Sequence, residues 1–204
     1  MLSSPAPCRT VAVPRTKAKP MTARTANKTA KRQPAKAPAR PLDTHTGTVL
    51  PGWIDYNGHM NLSYYVLLFD FATDTLLEHL GLTPAFRARR NASTFSAEIH
   101  VNYLRELRLG DPVRITTQLL DHDARRIHYF HRMYHGANGF LAATNELLSL
   151  YVDMEVRRIT EMPPAIRRRV AALGRVHKHL PKPEQAGSVI GIHRRPQKPS
   201  RAAS

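Results

Sequence analysis

The 204-residue chain is poor in cysteine, in long apolar runs and, over its first part, in acidic residues. Its only cysteine is Cys8, which excludes an intrachain disulfide and a cysteine-based metal cage and fits a reducing compartment. The longest strongly apolar stretch, Leu62 to Phe69, ends at Asp70 and is far shorter than the roughly 20 residues that span a bilayer. We therefore expect a cytoplasmic protein that does not span a membrane.

The net charge of +16 belongs to the two ends of the chain. Residues 1–42 hold 10 Lys and Arg and no acidic residue, and residues 157–204 hold 12 basic against 2 acidic residues. Between them, residues 43–156 hold 9 arginines and 13 acidic residues. Because the N-terminal segment has no apolar periodicity, burial cannot offset its chain entropy, and we predict a disordered basic tail over residues 1–42.

The rest of the chain divides into a folded part, a short helix and a second tail. The hydrophobic content of 42% is enough for one core, which we assign to a domain over residues 43–162. Pro164 favours a short helix over residues 163–176, with Gly174 as its stop. Residues 177–204 are rich in Pro, Lys and His, and we predict a disordered basic tail. Neither tail carries a folded DNA-reading motif, so nucleic-acid binding is the less favoured use of their charge.

A helix is predicted between Asn61, a good N-cap residue, and Gly81, which supplies a C-terminal stop. Apolar residues recur between them at helical spacing, and further apolar residues fill the other faces. The periodic set is Leu62, Val66, Phe69, Thr73, Leu76, Leu77 and Leu80. A surface helix should be amphipathic, so we expect this one to be wrapped by other structure for most of its length.

Strands are predicted on both sides of this helix. A short strand covers 46–50, and from Thr94 the apolar period changes to two, which indicates a long half-buried strand through Tyr103. Turn residues then separate three more strands, over 113–120, 125–134 and 140–152. One strand, one long helix and four antiparallel strands favour an α+β domain in which a single sheet curls around a single helix.

The densest polar cluster, Asp55 to Asn61, lies directly before the predicted helix. A helix N-terminus presents unpaired N–H groups and a partial positive charge. A substrate carbonyl placed on the amides near Leu62 and Ser63 would be polarised while Asp55 attacks it or activates a water molecule. The alternative is structural: the Asp and Asn side chains form turns, Asn61 caps the helix and His59 packs.

Residues 53–61, Trp-Ile-Asp-Tyr-Asn-Gly-His-Met-Asn, resemble the Asp-x-x-Gly-His-x-Asn signature of the hot-dog-fold acyl-CoA thioesterases of the 4-hydroxybenzoyl-CoA thioesterase type. The predicted order of elements is the one that this family implies. Residues 53–82, 101–106, 131–135 and 142–147 are similar to the betainyl-CoA thioesterases, which also occur fused to carnitine dehydrogenase. The resemblance covers about residues 46–164 and implies a role in carnitine metabolism.

On this resemblance, Asp55 is the catalytic carboxylate and the Leu62 amide polarises the carbonyl, with Ser63 beside it. His59 and Asn61 match the motif and complete the expected catalytic group. The implied reaction is hydrolysis of an acyl-CoA thioester to the free acid and CoA, with no metal and no organic cofactor. The family builds its sites between two protomers, so a homodimer or a higher homo-oligomer is expected.

A betainyl group would require a pocket for a trimethylammonium, a cation with no hydrogen-bond donor, which aromatic faces and a nearby carboxylate hold best. The candidate acyl-pocket residues are Trp53, Tyr56, Tyr64, Tyr65, Asp70 and Glu98. A carboxylate in an otherwise apolar helix or strand needs a partner. Asp70 and Glu98 therefore hold the cation, form structural pairs with Arg105, Arg126 or Arg132, or are simply exposed on the polar face of the sheet.

Two other functions stay open at this point. Hot-dog enoyl-CoA hydratases carry an Asp-x-Asn-x-x-His pattern, which Asp55 and Asn57 fit; His59, however, comes four rather than five residues after Asp55, and Gly58 stands where that pattern has proline. A non-catalytic domain that binds acyl-CoA, with basic tails that bind nucleic acid, is the second.

Overall fold

The computed structural model describes residues 39–192. The predicted tail over 1–42 lies almost wholly outside these residues, and the predicted tail over 177–204 lies outside them from residue 193 onward. No helix in the described part is long and apolar enough to cross a membrane.

The described chain contains six strands and three α-helices. In chain order they are β1 (Leu42–Thr48), α1 (Leu62–His79), α2 (Pro84–Arg90), β2 (Ala92–Tyr103), β3 (Pro112–His122), β4 (Arg126–His135), β5 (Leu141–Asp153), β6 (Arg158–Ile159) and α3 (Pro164–His177). A 3-10 turn, Pro51–Trp53, follows β1. The first strand was predicted at 46–50 and lies earlier, because the pairing with β3 already begins at Leu42.

All strands belong to one antiparallel sheet in the order β1-β3-β4-β5-β2, with β6 paired to β5. The sheet curls around α1, which confirms the predicted α+β fold. The first strand after α1 pairs with the last long strand rather than with its successor, so β2 lies at one edge and β1 at the other. The core fills the space between the concave face of the sheet and α1, and α3 closes it at the C-terminal end of α1.

Helix α1 buries one face and exposes the other, so the prediction that it is wrapped for most of its length is wrong for the single chain. The buried face consists of Tyr65, Leu68, Phe69, Ala72, Thr73, Leu76 and Leu77. The opposite face leaves Asp70, Phe71 and Asp74 exposed. The helix ends as predicted at Gly81, whose φ of +87° suits glycine, and the Leu82 amide donates to the Leu77 carbonyl, 2.8 Å.

Helix α3 does not stop at Gly174 and continues to His177. Val170, Leu173 and His177 are buried on one face, and the Leu119 amide donates to His177 Nδ1, 2.8 Å. A side chain at Gly174 would meet His122 Nε2 at 3.0 Å, so the glycine permits a close approach of α3 to β3. Packing against the sheet therefore outweighs the low helix propensity of glycine.

Strand β2 is exposed where the sequence pattern predicts a half-buried strand. Its apolar side chains Phe95, Ile99 and Tyr103 are 41, 46 and 48% exposed. In the described residues its only partner is β5. A long strand with one free edge and exposed apolar side chains is a ready template for pairing with another chain.

A chain of buried hydrogen bonds crosses the core beneath α1 and centres on His131. His131 Nδ1 is 2.7 Å from Thr117 Oγ1 and His131 Nε2 is 3.0 Å from Thr73 Oγ1. Thr117 Oγ1 is in turn 2.7 Å from Thr44 Oγ1, which links β1 to the same network. Burial lowers the pKa of His131 to about 3, so the imidazole stays neutral in the folded protein near neutral pH.

The neutral His131 predicts acid sensitivity of the fold. An unfolded histidine titrates near 6.5, so between pH 6.5 and about 3 the unfolded chain binds a proton that the folded chain does not. As the pH falls through that window, we expect this residue to lower the free energy of unfolding by up to about 1.4 kcal/mol per pH unit. His131→Gln should flatten the pH dependence measured by urea unfolding at pH 4 to 7. The exposed His79→Gln is the control, and equal slopes for the two variants would contradict the assignment.

Candidate functional site

A tight two-stranded turn positions the polar cluster before α1. Ile54 and Met60 form an antiparallel bridge, and the Asp55 amide donates to the His59 carbonyl, 3.1 Å. The Gly58 amide donates to the Asp55 carbonyl, 3.0 Å, and Gly58 has a φ of +79°. The left-handed conformation that closes this turn suits glycine best, which explains its place in the motif.

One oxygen of the Asp55 carboxylate accepts a hydrogen bond, and within the described residues the other does not. Its Oδ1 accepts a hydrogen bond from the Asn57 amide, 2.8 Å, in a turn of the type that Asp side chains commonly form. Among residues 39–192, no donor lies within hydrogen-bond distance of its Oδ2. The structural interpretation of Asp55 therefore holds for one oxygen and leaves the second available for chemistry.

Asn61 fixes the start of α1. Its Oδ1 accepts from the Ser63 amide, 3.0 Å, and from Ser63 Oγ, 2.6 Å. The Ser63 amide is therefore already bonded, whereas the Leu62 amide has no acceptor within the described part of the chain. Of the two amides predicted to polarise a carbonyl, Leu62 is the one that a ligand can reach without displacing the cap.

A cleft of about 360 Å³ opens between this turn, the start of α1 and the chain that follows β2. It brings together six of the predicted site residues: Asp55, Tyr56, His59, Asn61, Leu62 and Tyr65. Tyr56 stands at the rim and is 97% exposed. Asp55 and the free amide at the helix start thus face one cavity.

The opposite wall of the cleft comes from residues 103–106, whose place in the site the sequence pattern did not predict. The Tyr103 hydroxyl donates to the Leu62 carbonyl, 3.3 Å, and the Tyr103 ring meets Tyr65 edge to face with ring centroids 5.3 Å apart. The Leu107 amide donates to the Tyr65 hydroxyl, 3.0 Å, and burial raises the pKa of Tyr65. The sequence signals for this wall are an aromatic residue at the end of a long strand and the family resemblance of residues 101–106, and neither of them assigns these residues to the site.

His59 lines the same cavity beside Glu106. Its Nε2 lies 3.9 Å from Glu106 Oε2, and its side chain is about one third exposed. Arg108 donates to Glu106 Oε1, 2.8 Å, and this bond lowers the pKa of the Glu106 carboxyl. His59 therefore faces a carboxylate that stays ionised.

The other predicted pocket residues lie outside this cleft. Trp53 stacks on Tyr64 with ring centroids 5.3 Å apart and planes 18° apart, and the pair packs against the core behind the turn. Asp70 lies farther along α1 in a separate hollow of about 300 Å³, with Asp74, Ser93 and Thr94. Burial raises the pKa of Asp70, and the negative charge of the neighbouring Asp74 raises it further.

Glu98 lies on the outer face of the sheet, away from α1. Its neighbour across the ladder is Leu148, and with His100, His128 and Glu146 it lines a hollow of about 380 Å³. Leu147, the next residue of β5, is in the core under α1, which places Glu98 on the opposite side of the sheet from Asp55. Over residues 39–192, no group of three or more His, Cys, Asp or Glu side chains is arranged to hold a metal ion.

The model of the thioesterase-like superfamily matches residues 49–170. Betainyl-CoA thioesterase of Pseudomonas aeruginosa is 40% identical over 151 residues, which cover 74% of this chain and 95% of that protein. The L-carnitine dehydrogenase/betainyl-CoA thioesterase of Agrobacterium fabrum is 37% identical over 150 residues, or 74% of this chain, but the match covers only 30% of that longer protein.

Solved structures share the fold. A hypothetical protein of Staphylococcus aureus, solved in complex with CoA, is 30% identical with a TM-score of 0.70, over 75% of this chain and 97% of its own. A 1,4-dihydroxy-2-naphthoyl-CoA thioesterase from Synechocystis is similar in fold alone, with 12% identity and a TM-score of 0.58 over 65% of this chain and 97% of its own.

The hydrogen bonds that Asn61 accepts at the start of α1 should stabilise the fold. Asn61→Ala removes the acceptor of the Ser63 amide and should lower the free energy of unfolding by about 1 kcal/mol, measured by urea denaturation. Asn61→Asp keeps an acceptor oxygen and should retain most of the stability. If both variants match the unsubstituted protein, Asn61 does not hold the start of α1.

Proposed function

The chain belongs to the thioesterase-like superfamily and has its hot-dog fold, and on that premise we propose that it hydrolyses betainyl-CoA to the free acid and CoA. One observation carries the proposal: the cleft that contains Asp55 and the free Leu62 amide lies in a chain 40% identical to a betainyl-CoA thioesterase along almost that protein's whole length. The solved relative with CoA supports the ligand class.

The thioester carbonyl oxygen binds the Leu62 amide in this proposal. The positive end of α1 then stabilises the negative charge that develops on that oxygen. As a nucleophile, Asp55 Oδ2 bonds to the carbonyl carbon, the C–S bond breaks, and water hydrolyses the resulting anhydride. As a general base, Asp55 takes a proton from the attacking water and returns it to the departing sulfur.

His59 and Asn61 support this chemistry in different ways. Asn61 is a positioning residue, because its side chain occupies the Ser63 amide and fixes the direction of the first turn of α1. His59 touches the cavity directly and, with Glu106, forms the wall facing the incoming thioester. We therefore place His59 in contact with substrate.

The acyl group needs a pocket for a trimethylammonium. Tyr56 and Tyr65 line the cleft and offer aromatic surface, and the Trp53–Tyr64 stack supports the turn from behind. No carboxylate of α1 lines this cleft within the described chain, since Asp70 lies in the separate hollow. Glu98 lies on the other face of the sheet, so we assign it no contact with the acyl group.

In this proposal a second copy of the chain supplies the carboxylate of Asp70 to the cleft. We propose that the free edge of β2 pairs antiparallel with the same strand of another copy around a two-fold axis. Such pairing places the Tyr103 end of one β2 beside the Ala92 end of the other. The hollow that holds Asp70 is lined by residues at the start of β2, so it then faces the partner's cleft.

The reaction is tested by thiol release from betainyl-, acetyl-, butyryl-, benzoyl-, long-chain acyl- and crotonyl-CoA. We expect betainyl-CoA to be preferred and Asp55→Asn to lower kcat by about 10²-fold or more. Asp153→Asn is the matched control, because Asp153 Oδ1 also accepts an amide two residues on, from Glu155 at 2.9 Å. Loss of crotonyl absorbance without thiol release would instead indicate hydration, and preference for another acyl group would discard the betainyl assignment.

The shared site is tested by mixing two defective chains. Asp70→Asn should raise KM for betainyl-CoA while changing kcat little. Random pairing of Asp55→Asn and Asp70→Asn chains leaves about a quarter of all sites intact if the two residues come from different copies. Activity at limiting betainyl-CoA should then return to about a quarter of the unsubstituted level. If the mixture is no more active than half of the Asp70→Asn protein alone, both residues act within one chain.

A further inference from the structure

The segment after α3 does not leave the fold at once but crosses the outer face of the sheet. Gln118 Nε2 on β3 donates to the Pro181 carbonyl, 3.2 Å, and the Gly187 amide donates to Glu146 Oε2 on β5, 2.6 Å. Glu146 Oε1 is 2.7 Å from His128 Nε2 on β4. The segment thus runs from the β1 side of the sheet toward the β2 side. We refer to residues 181–188 as the strap.

The strap is packed as well as hydrogen-bonded. Pro183 and Ala186 are buried, and Phe130 on the outer face of β4 is wholly buried. A turn follows, in which the Ala186 amide donates to the Pro183 carbonyl, 3.1 Å, and Gly187 has a φ of +77°. The strap therefore covers the outer face of the sheet from β3 to β5, and this turn sets the direction in which the chain continues.

The next four residues are exposed rather than buried. Val189, Ile190 and Ile192 are 78, 87 and 84% exposed, and we refer to residues 189–192 as the arm. Three branched aliphatic side chains within four residues have no reason to stay in water when polar residues would serve as a linker. Their exposure in a single chain indicates a surface that another molecule covers.

The position of the strap's end points to where the arm goes. Gly187 and Ser188 line the same hollow as Glu98 and His100 of β2, so the arm starts over the edge strand of the sheet. Beyond this edge the described chain has no further strand. The arm therefore begins beside the edge that we pair with a second copy.

We propose that the arm crosses this edge and packs on the outer face of the sheet of a second copy of the chain. Two-fold symmetry makes the exchange mutual, because each copy offers the arm of the other copy the outer face of β2, where Glu98 is exposed. Opposite charges favour this occupant. The sequence continues after Ile192 with the basic residues His193, Arg194 and Arg195, and the outer face at the edge carries the acidic Glu98. The inference rests on the proposed β2 pairing and adds a second contact to it.

The test measures dimer dissociation by sedimentation over a dilution series of the full chain. The double variant Ile190→Asp, Ile192→Asp should raise the dimer Kd at least tenfold, because charge then replaces the apolar contact. Val156→Asp is the matched control, since Val156 is an exposed aliphatic residue in the turn before β6, and it should leave Kd unchanged. An unchanged Kd in the double variant would overturn the proposal.

Two further variants separate this contact from the edge pairing. Ile99→Asp should disrupt β2 pairing and give monomers, and a monomeric unsubstituted protein would overturn the edge pairing and the arm exchange together. A benzophenone side chain at position 190 should cross-link on irradiation to give a product of twice the chain mass. A cross-link confined to the single-chain mass, or none, in a protein that is dimeric and hydrolyses acyl-CoA would overturn the arm exchange alone.

Discussion

The start of α1 is the constraint on which the site depends. Asn61 caps the helix through the Ser63 amide, and the short turn before it returns the chain so that Asp55 lies in the same cleft. Because the cap uses the Ser63 amide, the Leu62 amide is left as the helix-end donor that faces a ligand. In the proposed mechanism, the cap, the glycine turn and the carboxylate thus supply one N–H group that binds the carbonyl oxygen and one carboxylate oxygen that reacts.

The edge position of β2 is the second constraint. Pairing β2 with β5 leaves one long strand open and half-exposes its aliphatic and aromatic side chains. The end of this strand, Tyr103, also forms a wall of the cleft and bonds to the Leu62 carbonyl. In the proposed dimer, assembly at the edge and formation of the site are therefore connected through one strand.

Local signals predicted most of the fold. The cap residue Asn61, the stop at Gly81 and the alternation of the long strands placed α1 and β3 to β5 within a few residues of their observed bounds. Helix α2 was missed although Thr83 caps it and Pro84 opens it, because its seven residues carry three arginines and no apolar period. Gly174 misled the prediction for α3, since a close approach to His122 is a tertiary contact that no local pattern contains.

For the site, too, local structure was predicted and tertiary contacts were not. The residues of one contiguous motif, from Asp55 to Leu62, do lie around one cleft, because the turn and the cap are local structures. The opposite wall at residues 103–106 is about 40 residues away in sequence and depends on how β2 pairs, so the motif did not reveal it. Asp70 and Glu98 looked equivalent as carboxylates in apolar segments, but the sheet separates them onto opposite faces.

The central claim is that this cleft recognises a cationic acyl group, and one ratio tests it most directly. The measurement compares kcat/KM for betainyl-CoA with kcat/KM for 3,3-dimethylbutanoyl-CoA, which has the same shape with carbon in place of the charged nitrogen. A cation held by aromatic faces and a carboxylate should favour betainyl-CoA by about tenfold or more. Equal values, or a preference for the uncharged analogue, would contradict the account.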